Sequence, residues 1–185
     1  FVQVLAGATN LNVIIDPRGE LGWGDSQVVE FDVAATDVSI DVIALCPVAG
    51  LLEFIVETPG GQVITPASVA TEPNVQFVVR QDVAFYRLML PALPATPAGS
   101  HAGRWRAGFR LRTPDELRGW LAEHRQVWSE LATLRRRGTL PYSCVVQTYS
   151  NLAFQATLTQ AAFTPGAAVK IEASLSEYDV PFGGH

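Results

Sequence analysis

Lysine is almost missing from this chain: Lys170 stands alone against twelve arginines, and there are only three histidines, two cysteines and one methionine. Cys46 and Cys144 lie far apart and cannot build a structural zinc site without help from histidine. No apolar run approaches the ~20 residues that a membrane-crossing helix needs. No basic-then-apolar leader opens the chain. Phe1 is not a natural start, and the chain reads as a piece of something longer. A G-x-S-x-G elbow, a Walker loop, an H-E-x-x-H pair and an EF-hand loop are all absent. What is present is ordinary globular material: 185 residues, 48% hydrophobic and 17% charged. That composition excludes disorder, and the length suits one domain or one domain plus part of another.

Charge is unevenly spread. Residues 1–100 hold three arginines against eleven acids, residues 101–140 hold nine arginines against four acids, and the remainder is mildly acidic. An acidic body with one basic segment lacks the broad basic field that nucleic acid requires. It permits a local contact between the basic segment and an acidic partner, or the body itself.

Most of the chain alternates with the period of a half-buried strand. Val29, Phe31 and Val33 alternate with Glu30 and Asp32; Val38, Ile40, Val42 and Ala44 repeat the pattern. Further strands are expected at 13–16, 51–57, 62–65, 75–80, 85–90 and 169–175, with a hairpin of 142–148 and 152–158 turning at Tyr149-Ser150-Asn151. Over 104–112, Trp105, Ala107, Phe109 and Leu111 fall on one side and four arginines on the other. Turn chemistry punctuates these runs at Pro17-Arg18-Gly19, Thr58-Pro59-Gly60-Gly61 and Phe163-Thr164-Pro165-Gly166. One segment differs. Thr113-Pro114-Asp115-Glu116 is a capping box with its favoured proline. Leu117, Trp120, Leu121, His124, Trp128 and Leu131 then recur at helical spacing, and Arg135-Arg136-Arg137 with Gly138 suit a helix end.

These elements predict an all-β fold: a two-sheet antiparallel β-sandwich with one inserted amphipathic helix at about 113–138. The sandwich is expected over 1–162, with 163–185 opening a following module or adding an edge strand. Three of the four tryptophans fit buried positions by period. Trp23, in the Gly22-Trp23-Gly24 turn, is the exception.

The order of a strand at 38–44, one at 51–57, the Thr58-Pro59-Gly60 turn, the strand at 85–90 and Gly103-Arg104-Trp105 resembles the β-sandwich that follows a von Willebrand factor A domain in bacterial surface proteins. It is also loosely similar to the jelly-roll domain of proprotein convertases. The run from Pro165 to Pro181 resembles the first strand of an immunoglobulin-like module. The chain has no Asp-x-Ser-x-Ser adhesion motif, so the ligand chemistry of the A domain is not carried over. The resemblance implies an extracellular or cell-surface location and a protein partner, or neighbouring domains of the same chain; the charge distribution and the short apolar runs add the expectation of no nucleic acid and no membrane insertion.

Candidate chemistry is thin. His101 follows Ser100, but adjacency in sequence does not make a nucleophile and base, since such a pair is assembled in space. His124 lies on the apolar helix face, and His185 is terminal. Calcium is the one metal the residues invite, at Asp16, Glu20 and Asp25, where oxygen ligands crowd loops. Trp23 is the ligand-contact candidate, and Arg135, Arg136 and Arg137 are the partner-contact candidates. Cys46 and Cys144 are either a bond closing a long loop in an exported protein or two buried thiols, the thiols being slightly preferred. The expected function is a non-catalytic structural or interaction module with no resident cofactor. The alternatives are a hydrolase accessory domain, for which His101 would need an acid and a serine in one cleft, and a carbohydrate-binding module, which would need a row of exposed aromatics.

Overall fold

A computed structural model of the chain describes residues 11–15, 17–91, 100–117, 131–132, 136–160, 162–177 and 180–181. The alternating segments are strands: β1 (Leu11–Ile15), β2 (Arg18–Gly22), β3 (Ser26–Val33), β4 (Asp37–Leu45), β5 (Leu52–Glu57), β6 (Val63–Ile64), β7 (Val75–Val79), β8 (Val83–Met89), β9 (Gly103–Leu111), β10 (Thr139–Ser150), β11 (Leu152–Gln160), β12 (Val169–Glu177) and β13 (Val180–Pro181). Single 3-10 turns occupy Ala49–Leu51 and Pro66–Ala70.

Two antiparallel sheets form the sandwich. One runs β1-β10-β4-β8-β7, with β2 sharing with β1 the same partner, β10; the other runs β3-β9-β5-β6. Alternation decides which residues meet between them. Val42, Tyr86 and Leu88 from the first sheet and Phe54, Trp105 and Phe109 from the second belong to one buried cluster, none more than 2% exposed. Each such side chain is worth about 1.5–3 kcal/mol on burial, and the rings of Phe54 and Tyr86, 5.1 Å apart and edge-on, add directional packing. The Tyr86 hydroxyl crosses to the opposite sheet and donates to the Phe54 carbonyl at 2.8 Å, which satisfies the polar tip of a buried ring.

The outward face of the second sheet is sorted by charge. The arginines of β9 sit directly opposite acids on both flanks: Arg104 faces Asp32, Arg106 faces Glu30 and Glu57, and Arg110 faces Glu53. Ion pairs follow this register, from Arg104 to Asp32 at 3.1 Å, from Arg106 to Glu30 at 3.0 Å and from Arg110 to Glu53 at 2.6 Å. The strand part of the basic segment thus spends its charge on the body. Opposite charges directly across a sheet also fix register, because a slip of one residue would put the arginines inside.

Glycine matters in two places. Gly103, at φ 135°, would place a Cβ 3.1 Å from the Pro59 ring, so the Thr58-Pro59-Gly60 turn and the Gly-x-Trp strand close on each other. Gly19 lies across from Tyr142, whose ring comes within 2.8 Å of where its Cβ would be. The turn expected at Pro17-Arg18-Gly19 is therefore partly strand: Gly19 pairs so that the Tyr142 ring can lie over it.

The expected helix falls mostly on residues outside those described. Leu117, 131–132 and 136–137 are helical, and Leu117 and Leu131 are buried with the sandwich core. The capping box forms at its start: the Thr113 amide donates to Glu116 Oε2 at 2.7 Å and the Glu116 amide to Thr113 Oγ1 at 3.5 Å. Gly138 takes φ 78°, the left-handed conformation of a helix stop. No helix among the described residues is long and apolar enough to cross a membrane, which says nothing of a strand-built barrel.

The hairpin expected between 142–148 and 152–158 does not form. β10 stays in the first sheet, pairing with β4 up to Ser150. At Asn151, whose amide donates to Thr36 O at 3.1 Å, the chain leaves the sandwich, and β11 pairs instead with β12 in a third sheet, β11-β12-β13. The physical reason is competition for an edge: both long edges of β10 are already taken, by β4 on one side and by β1 and β2 on the other. The strand before Phe163 and the strand after it thus share one sheet.

Candidate functional site

Of the residues singled out in the sequence, the pairing of Thr139 with Gly22 sets the Trp23 turn, with Glu20 and Asp25, beside the end of the Arg136-Arg137 segment. Trp23 is partly buried and packs against the core cluster, which leaves only part of its ring for a ligand. Glu20 Oε2 accepts from Thr139 Oγ1 at 2.7 Å, tying β2 to β10, and Asp25 Oδ2 accepts from the Gly22 amide at 2.9 Å, closing the Trp23 turn. Asp16 lies outside the described residues. Among the described residues no three of His, Cys, Asp and Glu are grouped to hold a metal ion. Arg136 and Arg137 are exposed, and Arg135 lies outside the described residues, as do His124 and His185.

His101 is tied to Trp105 through its backbone. Its carbonyl accepts from the Trp105 indole at 2.9 Å, and its Nε2 is buried without a hydrogen-bond partner among the described residues. Ser100 Oγ accepts from the Ala102 amide, two residues on. Cys46 and Cys144 are buried, and neither forms a disulfide among the described residues. Burial pushes the Cys46 thiol up to about 12, so it stays protonated and behaves as a small hydrophobe.

The feature that sequence reasoning did not isolate is a face of the third sheet. Directly opposed residues share a face, and in β11 and β12 the opposed pairs are Phe154 with Leu175, Ala156 with Ala173 and Leu158 with Ile171. Every residue on that face between these pairs is apolar. On the reverse face Gln155 meets Ser174, Thr157 meets Glu172 and Thr159 meets Lys170. A face so patterned belongs against a core, yet Phe154 is 68% exposed, Leu158 63% and Ile171 67%. A two-stranded hairpin alone is marginal in water, and contiguous apolar area of this kind marks a contact surface. The alternation at Val169, Ile171, Ala173 and Leu175 was readable beforehand. Phe154, Ala156 and Leu158 alternate in the same way, but the turn residues at Tyr149-Ser150-Asn151 point that strand back to the sandwich.

No protein-family model and no curated protein matches the chain.

Proposed function

We propose that the chain is a non-catalytic interaction module: a β-sandwich that carries a projecting hairpin, whose apolar face docks on a protein surface, within a larger bacterial surface or secreted protein. The uncovered face of Phe154, Leu158, Ile171 and Leu175 carries this reading. Four large side chains worth about 1.5–3 kcal/mol each on full burial are left in water while every comparable side chain of the sandwich core is covered. The polar reverse face suits solvent, so one face docks and the other stays wet. The meeting of Pro59 with Gly103 supports the resemblance to sandwiches that follow a von Willebrand factor A domain, because the two motifs that carry it form one packed corner.

The test uses the whole chain and the double variant Phe154→Ser with Ile171→Ser. The wild type is expected to bind an apolar dye or to self-associate in sedimentation, and the variant to lose both while its melting temperature holds. A variant that melts as low as a core deletion, or a wild type that neither binds dye nor associates, would overturn the reading. An A domain encoded upstream in the same gene would fix the wider context.

A further inference from the structure

Beside the sandwich core, between β5 and β7, lies a cleft of about 700 Å³. Its floor is apolar, with Phe54, Ile55, Phe77 and Val79, and Arg80 and Arg112 line it. Two independent features give it a direction. The first is an open strand edge. β6 pairs with β5 only at Val56 and Glu57, so on this edge Leu52–Ile55 faces no strand among the described residues. The Arg112 amide donates to Leu51 O at 3.1 Å, and antiparallel pairing alternates. Leu52 and Phe54 therefore turn their backbone groups away from β9, toward the open edge. The Leu52 amide is taken by Ala49 O and the Phe54 carbonyl by Tyr86. The Leu52 carbonyl and the Phe54 amide remain directed there, one acceptor and one donor two residues apart. That is the pattern one residue of a parallel strand engages.

The second feature is charge. On the sheets, Arg87, Arg104, Arg106 and Arg110 are each paired with a carboxylate. Arg80 and Arg112 are paired with none among the described residues; Arg80 reaches only its neighbour's carbonyl, Val79 O, at 3.0 Å. Glu53 also lines the cleft, but its carboxylate is held by Arg110 at 2.6 Å. The cleft is apolar along its floor and uncompensated in positive charge.

We propose that this cleft is a docking groove for an extended, acidic polypeptide segment, which adds beside β5, lays alternate apolar side chains over Phe77 and Val79, and presents a carboxylate to Arg80 and Arg112. Strand addition of this kind takes affinity from the main chain and specificity from the pockets beside it. It is a second contact surface, separate from the hairpin face and independent of the reading drawn from it.

The probe is a fluorescent peptide with blocked ends, about six residues long as strands commonly are, alternating valine and threonine with an aspartate at each end. Anisotropy should show saturable binding that weakens as salt rises. The double variant Arg80→Gln with Arg112→Gln, and a lysine-ended peptide on the wild type, should each bind about tenfold or more weakly. Amide exchange at Phe54 should slow when the wild type is saturated, a readout that needs no variant. Binding should survive Phe154→Ser with Ile171→Ser. The proposal is overturned by failure of the aspartate peptide to bind at about millimolar concentration. Equal binding by the lysine-ended peptide, an unmoved Phe54 amide, or equal binding by a peptide N-methylated along its backbone would each overturn it too. So would arginine-dependent binding of dodecanoate in place of the peptide, which would make the cleft a small-amphiphile site.

Discussion

Strands β9 and β12 carry the same alternation and meet opposite fates. In β9, Trp105, Ala107, Phe109 and Leu111 are at most 2% exposed; in β12, Val169, Ile171 and Leu175 are 48%, 67% and 39% exposed. Nothing local separates them. Both are nine residues long, both are paired antiparallel, and both put apolar residues on one face. The difference is what lies across that face. β9 looks onto a second sheet, and β12 looks onto nothing among the described residues. Periodicity says which residues seek burial and is silent on what buries them. The outward faces differ as well. The arginines of β9 are ion-paired with flanking acids, which locks the strand in place, whereas the reverse face of β11 and β12 carries mostly neutral polar groups.

The sharpest way to test that contrast is truncation on both strands. Trp105→Ala should cost about 3–5 kcal/mol by urea unfolding, because it empties a filled site and breaks the indole bond to His101 O. Ile171→Ala should stay within about 0.5 kcal/mol in the isolated chain, as a surface change does. Equal losses at the two positions would mean that the hairpin face is covered in solution. A smaller effect is expected inside the sandwich. Tyr86→Phe keeps the ring and removes the hydroxyl, leaving the Phe54 carbonyl without that donor, at a cost of about 1–3 kcal/mol.

Much of the sandwich was legible because alternation, turn residues and charge agree there. The capping box at Thr113 and Glu116, the buried side of β9 and the Thr58-Pro59-Gly60 turn were all readable from spacing. The partners were not. Asp32 and Arg104 are far apart in sequence, and only the pairing of β3 with β9 makes them neighbours. The local signals at Tyr149-Ser150-Asn151 favoured a hairpin, but tertiary pairing had already filled both edges of β10, so the strand after the turn went elsewhere. The β5 cleft had no sequence signal at all: it exists because β6 is only two residues long, and brevity of a strand is not written in any motif. Trp23 looked exposed because glycines flank it, yet its ring found the core edge.

The last contrast concerns pH, and it sets two groups against each other. Glu116 accepts from the Arg110 guanidinium and from the Thr113 amide and hydroxyl, and these hold its carboxyl down at about 2, from an ordinary value of 4.5. Its folded value lies below its unfolded one, so its contribution is complete above about pH 4.5 and is lost as pH falls toward 2. Cys46 has the opposite sign. Burial raises its thiol from 9.0 to about 12, so the unfolded chain ionises first; its contribution is complete below pH 9 and is lost as pH rises toward 12. Between these limits neither group makes stability depend on pH. Glu116→Gln should flatten the acid limb and leave the alkaline limb alone, and Cys46→Ala should do the reverse. Both follow from chemical unfolding measured at a series of pH values. Glu116 is solvent-exposed, so salt should shrink its effect, whereas that of buried Cys46 should persist. An acid limb unchanged by Glu116→Gln would mean that the contacts to Arg110 and Thr113 are not held in solution. The segment after Thr113 would then enter the core through Leu117 without help from its cap.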